Sequence, residues 1–289
     1  MKVDHVVLRR LAYWGARYGP RRFVEHSPPL LGLMFAAGLP GARASVLQNI
    51  RRVMGSRQPW IETYDTARTF MNYAACLAEG LAMDRSEGQR AQFSVEGREY
   101  LTAALASGRG LILLTAHVGP FEAAAQLFTR DFQVKLMVVM HREADAEARR
   151  FHDELRQRRG IIVTHVGEHP TDALPVLSHL QTGGVAAIQL DRVPEQSREL
   201  DTRLFGATWR LPAGPFRLAA LCDVPLMTVF ARRRGFYDYE VVLGEPIRVT
   251  KADLEDGVLQ IAQRLATEVE RAILRDPTQW FHFQPVKQP

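Results

Sequence analysis

Several things are scarce or missing in this chain of 289 residues, and each absence removes a class of function. It has two cysteines, Cys76 and Cys222, far apart and without ligand spacing. A disulfide framework is excluded, a reducing compartment is the default, and both thiols read as small buried side chains. No GxxxxGK[ST] occurs, which argues against P-loop nucleotide chemistry. No G-x-S-x-G occurs, which disfavours a serine hydrolase with a nucleophile elbow. Without HExxH or a cysteine pair a zinc site lacks support, and no metal or other cofactor is expected. Ser107-Gly108-Arg109-Gly110 starts like a dinucleotide loop but lacks the third glycine and precedes a strand. His165 and His169, four apart, lie in a loop-like stretch before Pro170 and make a poor metal pair. Long apolar runs are also missing. The uncharged stretches 173–190 and 27–42 are broken by proline and glycine, and the apolar core Leu30 to Ala37 is too short to cross a bilayer. The first 22 residues carry charges throughout and do not read as a secretory signal.

What remains is ordinary globular composition, 46% hydrophobic and 24% charged, in a length that suits one large α/β domain or two small ones. The charge is unevenly spread. Residues 1–60 hold ten Lys or Arg (Lys2, Arg9, Arg10, Arg17, Arg21, Arg22, Arg43, Arg51, Arg52 and Arg57) against Asp4 and Glu25, so the segment is +8 in a chain of net +5. A basic arm on a slightly acidic body predicts an anionic partner surface, and by charge alone membrane and nucleic acid both qualify.

Periodicity divides the chain. Val7, Leu8, Leu11, Trp14 and Tyr18 fall on one helical stripe with Arg9, Arg10 and Arg17 off it, a basic amphipathic helix. Pro40-Gly41 ends the short apolar segment 30–37, a helix follows to about Met54, and Trp60, Tyr64, Ala67, Phe70, Met71, Ala74, Leu77 and Leu81 mark a long one. From residue 93, apolar runs of strand length alternate with helical stretches: FSVEG, LILLTAH, VKLMVV, GIIVTHV, VAAIQL, PLMTVFA and YEVVLG. Helices are expected over 121–130, 143–158, 213–221 and 254–274. This alternation predicts an α/β fold, a mostly parallel sheet with helices on both faces, preceded by an N-terminal helical segment. The expected division is a basic, membrane-facing helical segment, 1–85, and an α/β domain, 86–289, with the boundary within Asp84-Arg85-Ser86-Glu87-Gly88.

The chemistry-bearing stretch is residues 111–124, Leu-Ile-Leu-Leu-Thr-Ala-His-Val-Gly-Pro-Phe-Glu-Ala-Ala. Nine histidines and 32 acids in 289 residues yield about one His-x4-acid spacing by chance, so the context carries the argument. His117 ends an apolar strand, where active-site residues of parallel sheets collect. Gly119 and Pro120 then open a helix. On one continuous helix residues five apart would diverge by about 140°. On a strand–turn–helix, Glu122 can reach back to hold one imidazole nitrogen, leaving the other to take a proton from a hydroxyl. Backbone N–H groups at Gly119 and beyond could steady an oxyanion. A capping glutamate beside a half-buried histidine fits the same residues.

His-x4-Glu after such a strand resembles the glycerolipid acyltransferase superfamily. More narrowly, the chain is similar to bacterial lipid A late acyltransferases and the related mycobacterial phosphatidylinositol mannoside acyltransferases. The resemblance runs from about Asn49 to Trp280. It includes Gly108-Arg109-Gly110, Arg156 ahead of Gly160, Leu190-Asp191-Arg192, Leu204-Phe205-Gly206, Ala213-Gly214-Pro215, Val224-Pro225-Leu226 and Pro277-x-Gln279-Trp280. It implies single-step transfer of a fatty acyl group from acyl-CoA or acyl-carrier protein to a hydroxyl of a lipid or glycolipid. His117 would be the base and Glu122 its orienting partner. Gly119, Arg156, Asp191, Arg192, Phe205 and Gly206 would contact substrate, Arg156 near the donor or the oxyanion. The implied place is the inner face of the cell membrane, peripherally attached, with no nucleic-acid partner. Where the lipid A branch commonly has Asn-Trp before the glutamate, this chain has Pro120-Phe121, and that branch's N-terminal membrane helix has no counterpart in residues 1–60. A hydrolase or thioesterase using the same pair, and a non-catalytic anionic-lipid-binding protein, are the rival expectations.

Overall fold

A computed structural model describes residues 6–83, 91–141, 145–167, 169–193 and 197–284. The expected boundary at 84–88 lies outside these described residues. Four helices come first: α1 (Val6–Tyr18), α2 (Arg21–Gly38), α3 (Pro40–Met54) and α4 (Pro59–Ala82). Pro40 and Pro59 start the third and fourth, positions where the missing N–H costs nothing. The apolar stretch 30–37 is the second half of α2, which carries Pro28 and Pro29 inside it.

Seven strands form one sheet: β1 (Gln92–Glu96), β2 (Leu111–Thr115), β3 (Leu136–His141), β4 (Ile162–Val166), β5 (Val185–Gln189), β8 (Leu226–Gly235) and β9 (Asp238–Leu243). Their order is β1-β9-β8-β2-β5-β3-β4. Every neighbouring pair is parallel except β8 and β9. These are the seven apolar runs of the sequence. β2 lies at the centre, and Leu111 to Leu114 are at most 1% exposed, as a strand covered on both faces requires. Leu111 and Leu113 pack with α5 (Arg98–Ala106) and α6 (Phe121–Arg130) through Leu101, Leu127 and Phe128. Ile112 and Leu114 pack on the other face with α8 (Leu174–Gln181), α9 (Gly214–Cys222) and α10 (Val258–Arg275). The remaining helix, α7 (Ala146–Arg158), is capped by Asp145, whose carboxylate accepts from the Glu147 and Ala148 N–H groups.

The sequence reading missed an antiparallel hairpin, β6 (Glu199–Leu204) and β7 (Ala207–Pro212). Its strands are polar and half exposed, so no apolar run marks them. Its turn is Phe205-Gly206, with φ of 50° and 72°, the left-handed pair that suits a two-residue hairpin. The helix expected from 254 begins at Val258, because Asp253 turns back to accept from Thr250 N–H at 2.7 Å.

The apolar stripes of α1 and α4 do not all face inward. Leu11, Trp14 and Tyr18 are exposed, while α1 packs through Tyr13 and Ala16. On α4, Trp60 and Tyr64 are exposed, whereas Glu62 and Asp65 are buried. Those acids are neutralised inside: Glu62 by Arg51 at 2.6 Å, and Asp65 by Arg57. Two cations of the basic arm are therefore structural.

The helical segment rests on the sheet through a buried carboxylate. Glu79 of α4 accepts from Arg233 Nε at 2.7 Å, Tyr239 Oη at 2.6 Å and Tyr237 N–H at 3.3 Å. Burial pushes its carboxyl above the ordinary range, against the pull of Arg233 and Tyr239.

Candidate active site

The site is built where β2 and β5 end side by side. Their parallel register pairs Thr115 with Gln189, so two residues further on His117 meets Asp191. His117 Nδ1 lies 2.8 Å from Asp191 Oδ1, and the His117 backbone N–H donates to Asp191 Oδ2 at 3.0 Å. Trp280 Nε1 donates to the same Oδ2 at 3.3 Å. Asp191 is 1% exposed. Burial alone would raise its carboxyl, but the interaction with His117 holds it well below the usual carboxylate range. With Nδ1 donating to a carboxylate, Nε2 is the unprotonated nitrogen of the neutral ring. Among the described residues no group hydrogen-bonds Nε2, and the ring stands edge-on to Phe121 at 5.9 Å.

The turn that carries His117 is strapped by the C-terminal segment. Phe281 N–H donates to His117 O at 2.7 Å, and Gly119 N–H donates to Gln279 O at 2.8 Å. Gln279 is fixed in turn by both backbone groups of Arg233, each at 2.9 Å. This explains the Pro277-x-Gln279-Trp280 motif: the glutamine holds the strap and the tryptophan holds Asp191. Gly119 has φ 59°, and a Cβ there would lie 2.0 Å from Ala231 O, so only glycine fits.

Two expectations are corrected here. Glu122 does not hold the imidazole. Helix α6 starts at Phe121 with Pro120 as its cap, which places Glu122 in the first turn facing α7 and α4. There its carboxylate accepts from Arg156 Nε at 3.2 Å and Nη2 at 2.5 Å. Burial would raise Glu122, but the Arg156 charge and hydrogen bonds, with Arg159 and His152, lower it. Nor does Gly119 offer an oxyanion donor. Its N–H is taken by Gln279, Val118 N–H donates to Ala116 O, Phe121 N–H donates to Gly119 O, and Pro120 has none.

The other expected residues fall into two groups. Arg192 follows Asp191 and donates through Nη2 to Phe281 O at 3.2 Å. Phe205, at the hairpin tip beside Gly206, has its ring 6.3 Å from that of Trp280, and its N–H donates to Glu270 at 3.0 Å. These gather around His117 and Asp191. Arg156 and Glu122 form a second pair, extended by Asp153, 3.8 Å from Arg156 and 2.8 Å from His165 Nε2. His165 is thus a hydrogen-bond partner of Asp153. Residues the sequence reading left out are Trp209, Trp280 as the Asp191 donor, and His282. The signal for the Asp191 pairing was available: polar residues end two apolar runs, LILLTAH and VAAIQLDR, at matching depth.

Arg156 is 11% exposed and Glu122 29%. Arg156→Ala strands a carboxylate in a largely enclosed place, and the expected loss lies at the lower end of about 3–5 kcal/mol, read by urea unfolding. Glu122 is depressed in the folded state. The pair's contribution is therefore present above the unfolded glutamate value of about 4.3 and fades as pH falls through the lower folded one. The difference between wild type and Arg156→Ala should shrink on acidification, and a constant difference down to acid pH would contradict the pairing.

A cavity of about 560 Å³ lies between α10 and strands β8 and β9, reaching Val118 and Gln279. His117 and Asp191 do not line it, so the chemistry is placed by the strand ends. No metal-binding group of three or more ligands occurs among the described residues.

Comparison of the sequence with known proteins identifies its family. The family model described as "Bacterial lipid A biosynthesis acyltransferase" matches residues 6–286. A curated protein, the phosphatidylinositol mannoside acyltransferase of Mycobacterium tuberculosis (strain ATCC 25618 / H37Rv), is 26% identical over 197 residues, 66% of this chain. The match spans 58% of that relative's length. With a family model covering nearly every residue, the chain belongs to the bacterial lipid A biosynthesis acyltransferase family.

Proposed function

We propose that this protein transfers a fatty acyl group from a thioester, carried by coenzyme A or acyl-carrier protein, to a hydroxyl of a lipid or glycolipid acceptor. The observation that carries the reading is His117 at the end of the central strand, with Nδ1 engaged by a buried carboxylate and Nε2 unpartnered among the described residues. Family membership and the mannoside acyltransferase relative support the lipid acceptor.

In the proposed step the acceptor hydroxyl gives its proton to His117 Nε2 as its oxygen attacks the thioester carbonyl carbon. The new C–O bond forms, the C–S bond breaks, and the imidazolium returns the proton to the departing thiolate. Asp191 holds the tautomer and stabilises the imidazolium while it lasts. The resemblance implies a role for Arg156 near the donor or the oxyanion, and in the structure its guanidinium is held by Glu122, apart from the His117–Asp191 group. Arg192 and the Phe205-Gly206 tip contact substrate. Residues 1–85 would attach the enzyme peripherally to an anionic membrane surface, and nucleic acid has no part in the scheme. The scheme needs no metal ion, so a chelator should leave turnover unchanged; loss restored by one specific metal would contradict it.

The test is radiolabelled acyl-CoA with membrane lipid extract, read by mass spectrometry. Acylated lipid that depends on His117 is expected. Free acid as the sole product would establish a hydrolase instead.

A further inference from the structure

Ten buried side-chain nitrogen and oxygen atoms lack a hydrogen-bond partner among the described residues, and five of them belong to one cluster: Asn49 Oδ1, Arg52 Nη1, Arg192 Nε, Trp209 Nε1 and His282 Nδ1. Leaving such atoms unpaired is costly, and a local concentration needs a reason. Asn49, Trp209 and His282 are 4%, 6% and 6% exposed. Hydrogen bonds and ring contacts tie the cluster together. Asn49 Nδ2 donates to His282 O at 2.7 Å, and Arg192 Nη2 donates to Phe281 O at 3.2 Å. The His282 ring lies 5.9 Å from Trp209 and stacks on Trp280 at 5.4 Å. Arg52 and Arg192 both act electrostatically on His282, which burial pushes down to about 4, so the ring is neutral at pH 7.

Four of the five unpaired atoms can donate, and Asn49 Oδ1 is the one acceptor among them. Arg52, Arg192 and Trp209 can only donate, and a neutral His282 can donate from Nδ1. Neither guanidinium forms an ion pair among the described residues, whereas Arg51 and Arg57, on either side of Arg52 in sequence, are both neutralised. Asp191, the nearby acid, is committed to His117 and Trp280. Asp191 acts on Arg192 and His282 through its charge alone, so two half-buried cations and two enclosed N–H donors without a hydrogen-bonded anion leave room for an acceptor-rich anion from outside.

We infer that Arg52, Arg192, Trp209 and His282 form a binding site for a phosphate group of a substrate. A phosphate offers several acceptor oxygens to a convergent set of N–H donors, and guanidinium is well suited to it. The position gives the site a use. His282 stacks on Trp280, Trp280 bonds Asp191, and Asp191 bonds His117. A phosphate held here anchors its molecule beside the tryptophan that bonds the His117–Asp191 pair, the remote anchoring that orients a hydroxyl or a thioester for attack. Two substrates can bring the phosphate: the headgroup of the acceptor lipid or the pantetheine arm of the donor. The use in turnover rests on the acyltransferase reading; the binding itself does not.

Tryptophan fluorescence of the intact protein tests it, with ionic strength held constant by sodium chloride. Inorganic phosphate should give a saturable change through Trp209. The change should weaken at least tenfold in Arg52→Gln and in Arg192→Gln, and persist in His117→Ala, which separates this site from the catalytic reading. In wild type, phosphate but not chloride should protect Arg52 from phenylglyoxal, a readout that does not depend on a variant folding. Paired probes name the source. Preference for 4′-phosphopantetheine over pantetheine assigns the donor, and preference for glycerol 3-phosphate over glycerol assigns the acceptor. No saturable response, or one unaltered in the double variant, would overturn the inference.

Discussion

Asp191→Asn is expected to lower acyl transfer by about 10²–10⁴-fold while the protein remains folded, and His117→Ala by at least as much. The reason lies in how the carboxylate is shared. Asp191 Oδ2 accepts from two fixed donors, the His117 backbone N–H at 3.0 Å and Trp280 Nε1 at 3.3 Å. Oδ1 faces His117 Nδ1 at 2.8 Å. An asparagine has one acceptor oxygen, and two donors compete to hold it at the Oδ2 position. Its NH₂ group is then turned to the imidazole, Nδ1 must accept, and the proton moves to Nε2. The ring is still present but can no longer act as a base. Nitrogen NMR of the His117 ring would show the tautomer change alongside the lost turnover. Glu122→Gln makes the contrast: Glu122 bonds Arg156, so this change should leave the His117 tautomer as it is. Near-normal turnover in folded Asp191→Asn, or a tautomer that shifts only in Glu122→Gln, would return the orienting role to Glu122.

The difference between those two carboxylates shows what a linear reading reaches. The seven strands were legible because each is a buried apolar run, and the turn at Gly119-Pro120 because its residues are punctuation. The His-x4-Glu spacing was legible as well, but spacing reports only where two side chains start. Pro120 serves as the cap and starts α6 at Phe121, which turns Glu122 towards Arg156 of α7. Asp191 lies 74 residues from His117 in sequence. It arrives there by strand order, β5 beside β2, which depends on which apolar runs become neighbours. Hairpin β6–β7 was hidden for a related reason: its strands are stabilised by α10 and by each other, and its polar alternation resembles a loop. The phosphate cluster draws on α3, β7, Arg192 and the C-terminal segment, so no local window contains it.

The second large effect is expected at the membrane. Leu30, Leu31, Leu33, Met34 and Phe35 of α2 are all exposed, and Gly32 alone of that run is buried. A Cβ on Gly32 would meet Phe70 O at 2.5 Å, so α2 crosses α4 closely there and presents the five large side chains outward. Leu11, Trp14 and Tyr18 of α1 add to the exposed apolar surface, with Arg10, Arg17, Arg21 and Arg22 on the same two helices. No single helix among the described residues is long and apolar enough to cross a membrane, and α2 and α3, which pass that test only as a pair, are bent by 102°. An anionic bilayer fits this surface: each Arg near an anionic leaflet contributes about 1 kcal/mol, weakened by salt, and each large apolar side chain that reaches the acyl boundary adds up to about 1.5–3 kcal/mol. Arg10, paired with Glu147 at 3.1 Å, contributes less. Replacing Arg9, Arg10, Arg17, Arg21 and Arg22 by Gln should release the protein from anionic vesicles in flotation assays, most clearly at moderate salt. Serine at 30, 31, 33, 34 and 35 should remove the salt-resistant remainder, a partition change on the order of 10³-fold from about 1 kcal/mol per side chain. Both variants should lose transfer to membrane-borne acceptor yet keep transfer to a soluble short-chain analogue, because neither set touches His117 or Asp191. Vesicle binding that survives both sets of substitutions and high salt would sink the proposal that this face docks on lipid.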